Sequence, residues 1–154
     1  MNGIIPPEKR FKLILSVYLI FIKDGKVLLL RRQNTGYEDG NYGLVAGHAD
    51  GNESARDAAC REALEEAGVR LNANDLVPAH FMHRRQADER FDVFFKAGEW
   101  QGEIKNTEPE KCDDLSWFPL DDLPANTIPY IRQALECIQK SKVYSQFGWQ
   151  RILD

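Results

Sequence analysis

Positive charge is in short supply in this chain. Its 20 Lys and Arg face 24 Asp and Glu, a net charge of −4, which gives no electrostatic basis for nonspecific binding to nucleic acid or a membrane. Without a basic stripe, stable nucleic-acid binding and processing of RNA 5′ ends are not expected. Cysteine is scarce and odd in number. Cys60, Cys112 and Cys137 are widely spaced and match no zinc or disulfide pattern, so reduced thiols and a cytoplasmic setting are expected. Long apolar runs are missing too. The longest, Leu13 to Ile22, is interrupted by Ser16 and is too short to span a bilayer. Lys9, Arg10 and Lys12 precede that run without a small-residue cleavage site after it, so no secretory leader is expected. Repeats, linkers and low-complexity segments are absent.

What remains is ordinary globular material, 154 residues with 43% hydrophobic and 29% charged, enough for one domain with a real core. One domain is expected over 1–154, with its core at about 12–142. Lys12 to Lys23 is β-branched and aromatic and predicts a buried strand. Asp24-Gly25 predicts a hairpin turn, with Lys26 to Arg31 returning. Arg32 to Asn41 reads as a polar loop and Tyr42 to Ala46 as a short strand. Asp50 to Glu53 reads as a second loop and Glu53 to Ala67 as a helix, capped by Ser54 or Asn52 and closed by Gly68. Ala79 to Arg85 and Arg90 to Lys96 predict paired strands, and Trp117 to Leu120 a short one. Ile128, Ile131, Leu135 and Ile138 give Thr127 to Lys142 an amphipathic helical period. The mixture predicts an α/β domain with a mixed or antiparallel sheet.

The most telling stretch runs from Gly47 to Val69. Within it Arg61, Glu62, Glu65 and Glu66 are closed by Gly68. On a helix, Glu62, Glu65 and Glu66 share one face with Cβ atoms only ~5–6 Å apart, and such like charges repel. A hard divalent cation, which prefers oxygen ligands, would offset that repulsion. Taken alone, the cluster reads as a solvated acidic helix face. Ala55, Ala58 and Ala59 lie on the same side, where small residues let a helix approach a sheet closely. Cys60, Leu64 and Ala67 lie opposite and are expected in the core. Gly47 is expected to turn sharply before the loop and to offer its carbonyl to a metal. Arg61 can grip a neighbouring carboxylate in a bidentate pair.

The spacing of these residues resembles the Nudix box, G-x5-E-x7-R-E-U-x-E-E-x-G-U with U aliphatic. Gly47, Glu53, Arg61, Glu62, Glu65, Glu66, Gly68 and Val69 fall in place, with Ala63 as a small first U. Seven fixed identities at average composition would match by chance at about 10⁻⁸ per start site. Tyr42-Gly43-Leu44 resembles the family's strand leading into the box. Trp117-Phe118-Pro119-Leu120 with Leu123-Pro124 resembles its exit strand. Val45-Ala46 replaces the common Pro-Gly, and Asn52 replaces a common glycine. The resemblance implies a Nudix α/β/α sandwich with a mixed β-sheet, and a Mg²⁺-dependent (or Mn²⁺-dependent) pyrophosphohydrolase. It implies Glu62, Glu65 and Glu66 as metal ligands with the Gly47 carbonyl assisting, one acid doubling as base, and Arg61 and Glu53 as orienting partners. It also implies a nucleotide partner and, for many small members, a homodimer.

Glu108 to Cys112 resembles a segment of Nudix enzymes acting on nucleoside triphosphates, where Glu110 or Glu108 would supply a further metal ligand or base. Arg31 and Arg32 end a strand expected to border the cleft, where a phosphate contact and plain surface charge are equal readings. Tyr37 could stack on a base, and His83 with Arg85, on one strand face, could meet a phosphate or base, though surface charge is the plainer reading of that pair. His48 is expected to be a structural turn residue. The substrate expected is a nucleoside diphosphate-linked compound, foremost a canonical or modified nucleoside triphosphate cleaved to monophosphate and pyrophosphate. The alternatives are a nucleotide sugar, ADP-ribose, or a non-catalytic nucleotide-binding module.

Overall fold

A computed structural model describes residues 6–150, so the two ends of the expected 1–154 span lie outside the described residues. In chain order the elements are β1 (Ile14–Ile20), β2 (Ile22–Lys23), β3 (Lys26–Arg32), β4 (Tyr42–Gly43), β5 (Val45–His48) and α1 (Ala55–Ala67). There follow β6 (Arg70–Leu71), β7 (Val77–Arg85), β8 (Glu89–Lys96), β9 (Trp100–Gln101), β10 (Cys112–Pro119), α2 (Pro129–Gln139) and β11 (Tyr144–Phe147).

The long first strand of the sequence reading is split at Phe21. This lets one chain serve two sheets: β1 lies inside the five-stranded order β11-β7-β8-β1-β5, while β2 joins β10-β3-β2, with β4 also on β3. The β1–β8 and β7–β11 pairs are parallel and the others antiparallel, so the larger sheet is mixed. Asp24 (φ 52°) and Gly25 (φ 73°) form the expected two-residue turn between β2 and β3.

Strand alternation decides which helix each β1 residue meets. Val17 and Leu19 point to the α1 layer with Ala58, Ala59 and Ala63, and Phe21 joins them beyond the strand's end. Tyr18 and Ile20 point to the α2 layer with Ile131, Ala134 and Leu135. The result is an α/β/α sandwich with a core on each side of the sheet. Each fully buried Leu, Ile, Val or Phe contributes about 1.5–3 kcal/mol by leaving water.

Two helix expectations need correction. α1 starts at Ala55, after Ser54, whose hydroxyl accepts the Asp57 N–H as an N-cap. Its buried face carries Ala58, Ala59, Glu62, Ala63 and Ala67, whereas Leu64 is 43% exposed. The alanines, rather than the larger Leu64, face the sheet because they let the helix axis come close enough for its glutamates to reach β5. The exit strand is also longer than expected, beginning at Cys112. It opens with a register shift between Cys112 and Asp114 against β3. Cys60, Cys112 and Cys137 are free, and no described helix is long and apolar enough to cross a membrane.

Candidate active site

A cleft of about 670 Å³ opens where β5, the C-terminal half of α1 and the loop after β3 meet, within the range of small-molecule sites. One wall is acidic. Glu62, Glu65 and Glu66 line it from α1 and Glu108 from the segment before β10. Gly47 brings that wall close to the sheet. It sits in β5 opposite Val17, so it is not the sharp turn expected from sequence. Its requirement is steric: a Cβ there would overlap the Glu62 carboxylate.

Arg61 organises the carboxylates. Its Nε and Nη2 donate to both oxygens of Glu53, at 3.2 and 2.7 Å. Nη1 donates to Glu62 at 2.8 Å and lies 3.5 Å from Glu65, while Nη2 also meets the His48 carbonyl at 3.1 Å. This bidentate grip holds the Arg61 pKa above its ordinary value and the Glu53 carboxyl below its own. Glu53 also accepts the Asp50 N–H at 2.7 Å, closing the loop before α1. That loop passes through Asn52 at φ 67°. Asparagine adopts this left-handed geometry more readily than most non-glycine residues, so the bend survives the exchange.

Glu66 differs from its neighbours. Its Oε2 accepts the Ala46 N–H at 3.0 Å, yet burial, followed by Glu62 and Glu108, pushes its carboxyl up to about 8. Burial likewise raises Glu62, against the opposing pull of Arg61. Among the described residues, no three His, Cys, Asp or Glu side chains converge as they stand on a single ion-sized position. The donor set is nevertheless all oxygen, and carboxyls raised by burial, with neighbouring negative charge adding to it, mark a site where a hard cation would favour the charged form. The residues therefore fit a divalent cation in kind, after side-chain adjustment of the acids Arg61 now holds.

The opposite wall and floor come from dispersed elements. Arg32 lines the cleft, its Nε donating to the Tyr37 carbonyl at 2.8 Å and its guanidinium lying 5.5 Å from the Tyr37 ring centroid. Asp39 ties the Thr35–Gly36 turn of this loop by accepting both backbone N–H groups. The Tyr37 hydroxyl crosses to Gln86 at 3.2 Å, in the turn joining β7 and β8. Below it, Arg84 and Asp92 form a buried bidentate pair at 2.6 and 3.2 Å. Arg84 also donates to Gln86 and the Tyr18 hydroxyl and lies 4.0 Å from the Tyr130 ring centroid. The Tyr130 ring packs edge-on against Tyr18 at 6.1 Å between centroids, and burial pushes Tyr18 up to about 12. Arg90, chelated by Asp88, donates to His48 Nε2 at 2.6 Å. A guanidinium only donates, so the neutral His48 ring carries its proton on Nδ1. His48 and Arg90 both line the cleft.

Several residues singled out from sequence do not meet the cleft. Glu110 is exposed and offers its backbone carbonyl to Asn34, while Glu108 takes the place at the acidic wall. The turn over 109–110, closed by the Lys111 N–H on the Glu108 carbonyl at 2.9 Å, separates the two glutamates. Arg31 alternates away from Arg32 along β3 and pairs with Asp113 at 2.7 Å. His83 binds Glu89 at 2.8 Å and packs on Trp149, and Arg85 also lies over Trp149. Their strand face is turned from the cleft, and Arg84, on the other face, anchors the floor. Ser16, Tyr18, Arg90 and Tyr130 were missed. The one available signal was Ser16, a lone hydroxyl inside an apolar strand.

Comparison with known proteins agrees with this geometry. The NUDIX domain profile matches residues 12–136. The chain is 30% identical over 110 residues to the NAD-capped RNA hydrolase NudC of Stutzerimonas stutzeri (strain A1501), covering 70% of this chain and 37% of that protein. It is 33% identical over 69 residues to the CTP pyrophosphohydrolase of Escherichia coli (strain K12), covering 45% of this chain and 51% of that protein. The chain thus spans between a third and about half of the length of these curated relatives. The crystal structure of a MutT NUDIX hydrolase from Burkholderia pseudomallei superposes with a TM-score of 0.74 at 29% identity, covering 82% of this chain and 98% of that one. With the acidic wall set by Gly47, Arg61 and the α1 glutamates, and a matching profile over most of its length, this chain belongs to the Nudix family.

Proposed function

We propose that this protein is a divalent-metal-dependent pyrophosphohydrolase, with Mg²⁺ or Mn²⁺ as cofactor. Its substrate would be a canonical or modified nucleoside triphosphate, cleaved to monophosphate and pyrophosphate. The observation that carries this reading is the opposition within one cleft of four glutamates to an aromatic, partly basic wall. Glu62, Glu65, Glu66 and the Gly47 carbonyl would hold the cation, with Glu108 replacing Glu110 as the further acid. A bound divalent cation supplies charge neutralisation on phosphate oxygens and an acidified water. Arg61, braced by Glu53, orients Glu62 and Glu65. Glu66 has Oε2 fixed by the Ala46 N–H, which leaves Oε1 for a proton or a ligand and suits it to general-base work. Arg32 and Lys111 line the cleft and can face phosphate oxygens. Tyr18, Tyr37 and Tyr130 offer the surfaces on which a nucleoside can pack.

The name of the Escherichia coli relative, a CTP pyrophosphohydrolase, supports a nucleoside triphosphate. The name of the Stutzerimonas stutzeri relative favours a second reading, a nucleoside diphosphate joined to another group. The net charge of −4 favours a free nucleotide over an RNA end. The free cysteines support a cytoplasmic setting. A Mg²⁺-supplemented panel of nucleoside triphosphates, nucleotide sugars, ADP-ribose and dinucleotides, read for phosphate and pyrophosphate, tests the proposal. Pyrophosphate release from triphosphates is the expected result. No release from any member of the panel would leave a binding module as the better description.

A further inference from the structure

One side chain on the cleft floor lacks what its neighbours have. Ser16 lines the cleft and is 1% exposed, yet its Oγ is the one buried side-chain N or O atom among the described residues without a hydrogen-bond partner. In the sheet it stands between His48 of β5 and Asp92 of β8, on the α2-facing side with Tyr18. None of the polar side chains beside it in the sheet bonds it. Asp92 accepts from Arg84 at both oxygens, the Tyr18 hydroxyl accepts from Arg84, and His48 Nε2 accepts from Arg90. Buried hydroxyls in folded proteins are almost always paired, so a buried orphan inside a ligand-sized cleft is a group whose partner arrives with the ligand. The acids that would hold the metal lie on the α1 side, and Ser16 lies on the opposite side of the sheet with the aromatic residues. Its partner is therefore on the nucleoside rather than on the phosphates.

We infer that Ser16 is a specificity-determining residue that hydrogen-bonds a polar edge of the substrate's nucleobase, on a floor it shares with His48 and Tyr18. The inference rests on the nucleotide reading above and goes beyond it by naming what reads the base. A hydroxyl can both donate and accept, so its effect is selective for bases that present a group at that position. A site built to bond such a group discriminates against bases lacking it, which leave the hydroxyl buried and unpaired.

The test is Ser16→Ala, measured as kcat/KM over the natural ribo- and deoxyribonucleoside triphosphates with Mg²⁺, beside the Tm of the unliganded protein. The expected result is an approximately tenfold loss on the best substrate, less than twofold change on the poorest, and an unchanged or raised Tm. A uniform fall across the panel, or no change on any substrate, overturns the inference. So does a Tm lowered by several degrees, which would give the hydroxyl a structural partner. The same panel read as ligand-induced Tm shifts needs no turnover. Wild-type shifts that Ser16→Ala selectively weakens would uphold Ser16 as a reader even if hydrolysis failed, and no shift with any nucleotide would overturn it.

Discussion

The acidic wall and the floor of the cleft are built in opposite ways. The wall is local: Gly47, Glu53 and the α1 residues Arg61, Glu62, Glu65 and Glu66 come from one stretch of chain, and their relative positions follow from a helix period and one loop. The floor is dispersed. Ser16 and Tyr18 come from β1, His48 from β5, Arg84 and Arg90 from two paired strands, and Tyr130 from the far helix. They meet only because the sheet places them side by side. On the function proposed above, the wall would carry the groups that phosphoanhydride cleavage uses, while the floor would carry groups that distinguish one substrate from another. Chemistry and selectivity are thereby separable, and substitutions should divide along the same line.

The sharpest division is expected at the wall. Glu65→Gln and Glu66→Gln, each tested alone, keep size and shape but remove a negative oxygen donor. Turnover should fall by about 10³–10⁴-fold, with the order of preference among any residual substrates unchanged. Steady-state assays at saturating Mg²⁺ check this. A reordered preference would join the wall to selectivity and break the comparison.

The buried ion pair that anchors the floor should instead fail through folding. Arg84→Met strands Asp92, which is fully buried, and loss of one partner of a buried ion pair costs about 3–5 kcal/mol. Denaturant melts should show that loss. The double variant Arg84→Met with Asp92→Leu should recover much of it, since replacing both partners removes the stranded charge. A single variant as stable as wild type would deny the pair its anchoring role.

Gly47→Ala examines the seam between the two regions. The added methyl must displace the Glu62 carboxylate, and a misplacement of about 1 Å in a reacting group can cost about 10²-fold in rate. Turnover should fall on that scale while Tm moves little, because Glu62 is a side chain that can rotate aside. A large Tm loss with preserved turnover would show that Glu62 sits there for packing.

This contrast also explains what could be read from the sequence. The wall was legible because its residues are close in sequence and their repulsion on one helix face demanded a reason. The strands of the core were legible from their apolar composition. β6, β9 and β11 were not, being two to four residues long and defined by pairing alone. The choice between Glu108 and Glu110 turned on a local chain reversal, and the choice among His83, Arg84 and Arg85 on which sheet face the cleft occupies. Alternation separated Arg84 from the other two correctly, but only the packing of α2 shows that its side of the sheet holds the cleft's aromatic floor. Leu64 was placed in the core as the face opposite the glutamates, whereas the helix packs through the alanines on the glutamate side.

Tyr37→Phe carries the smallest expected effect and probes where the two regions are bridged. The Tyr37 ring borders the cleft beneath Arg32, and its hydroxyl reaches Gln86 on the far side. Loss of one partly exposed, neutral hydrogen bond is worth about 0.5–1.5 kcal/mol, so the loop over 33–41 should stay folded on its Asp39 contacts. Tyr37→Phe should raise KM about two- to tenfold on every nucleotide alike, with kcat within twofold, because the ring surface remains and only its tether is lost. Base-dependent changes would move Tyr37 into the floor as a second reader. A fall in kcat without a change in KM would instead make the bridge part of the wall, acting through Arg32 on the phosphate side.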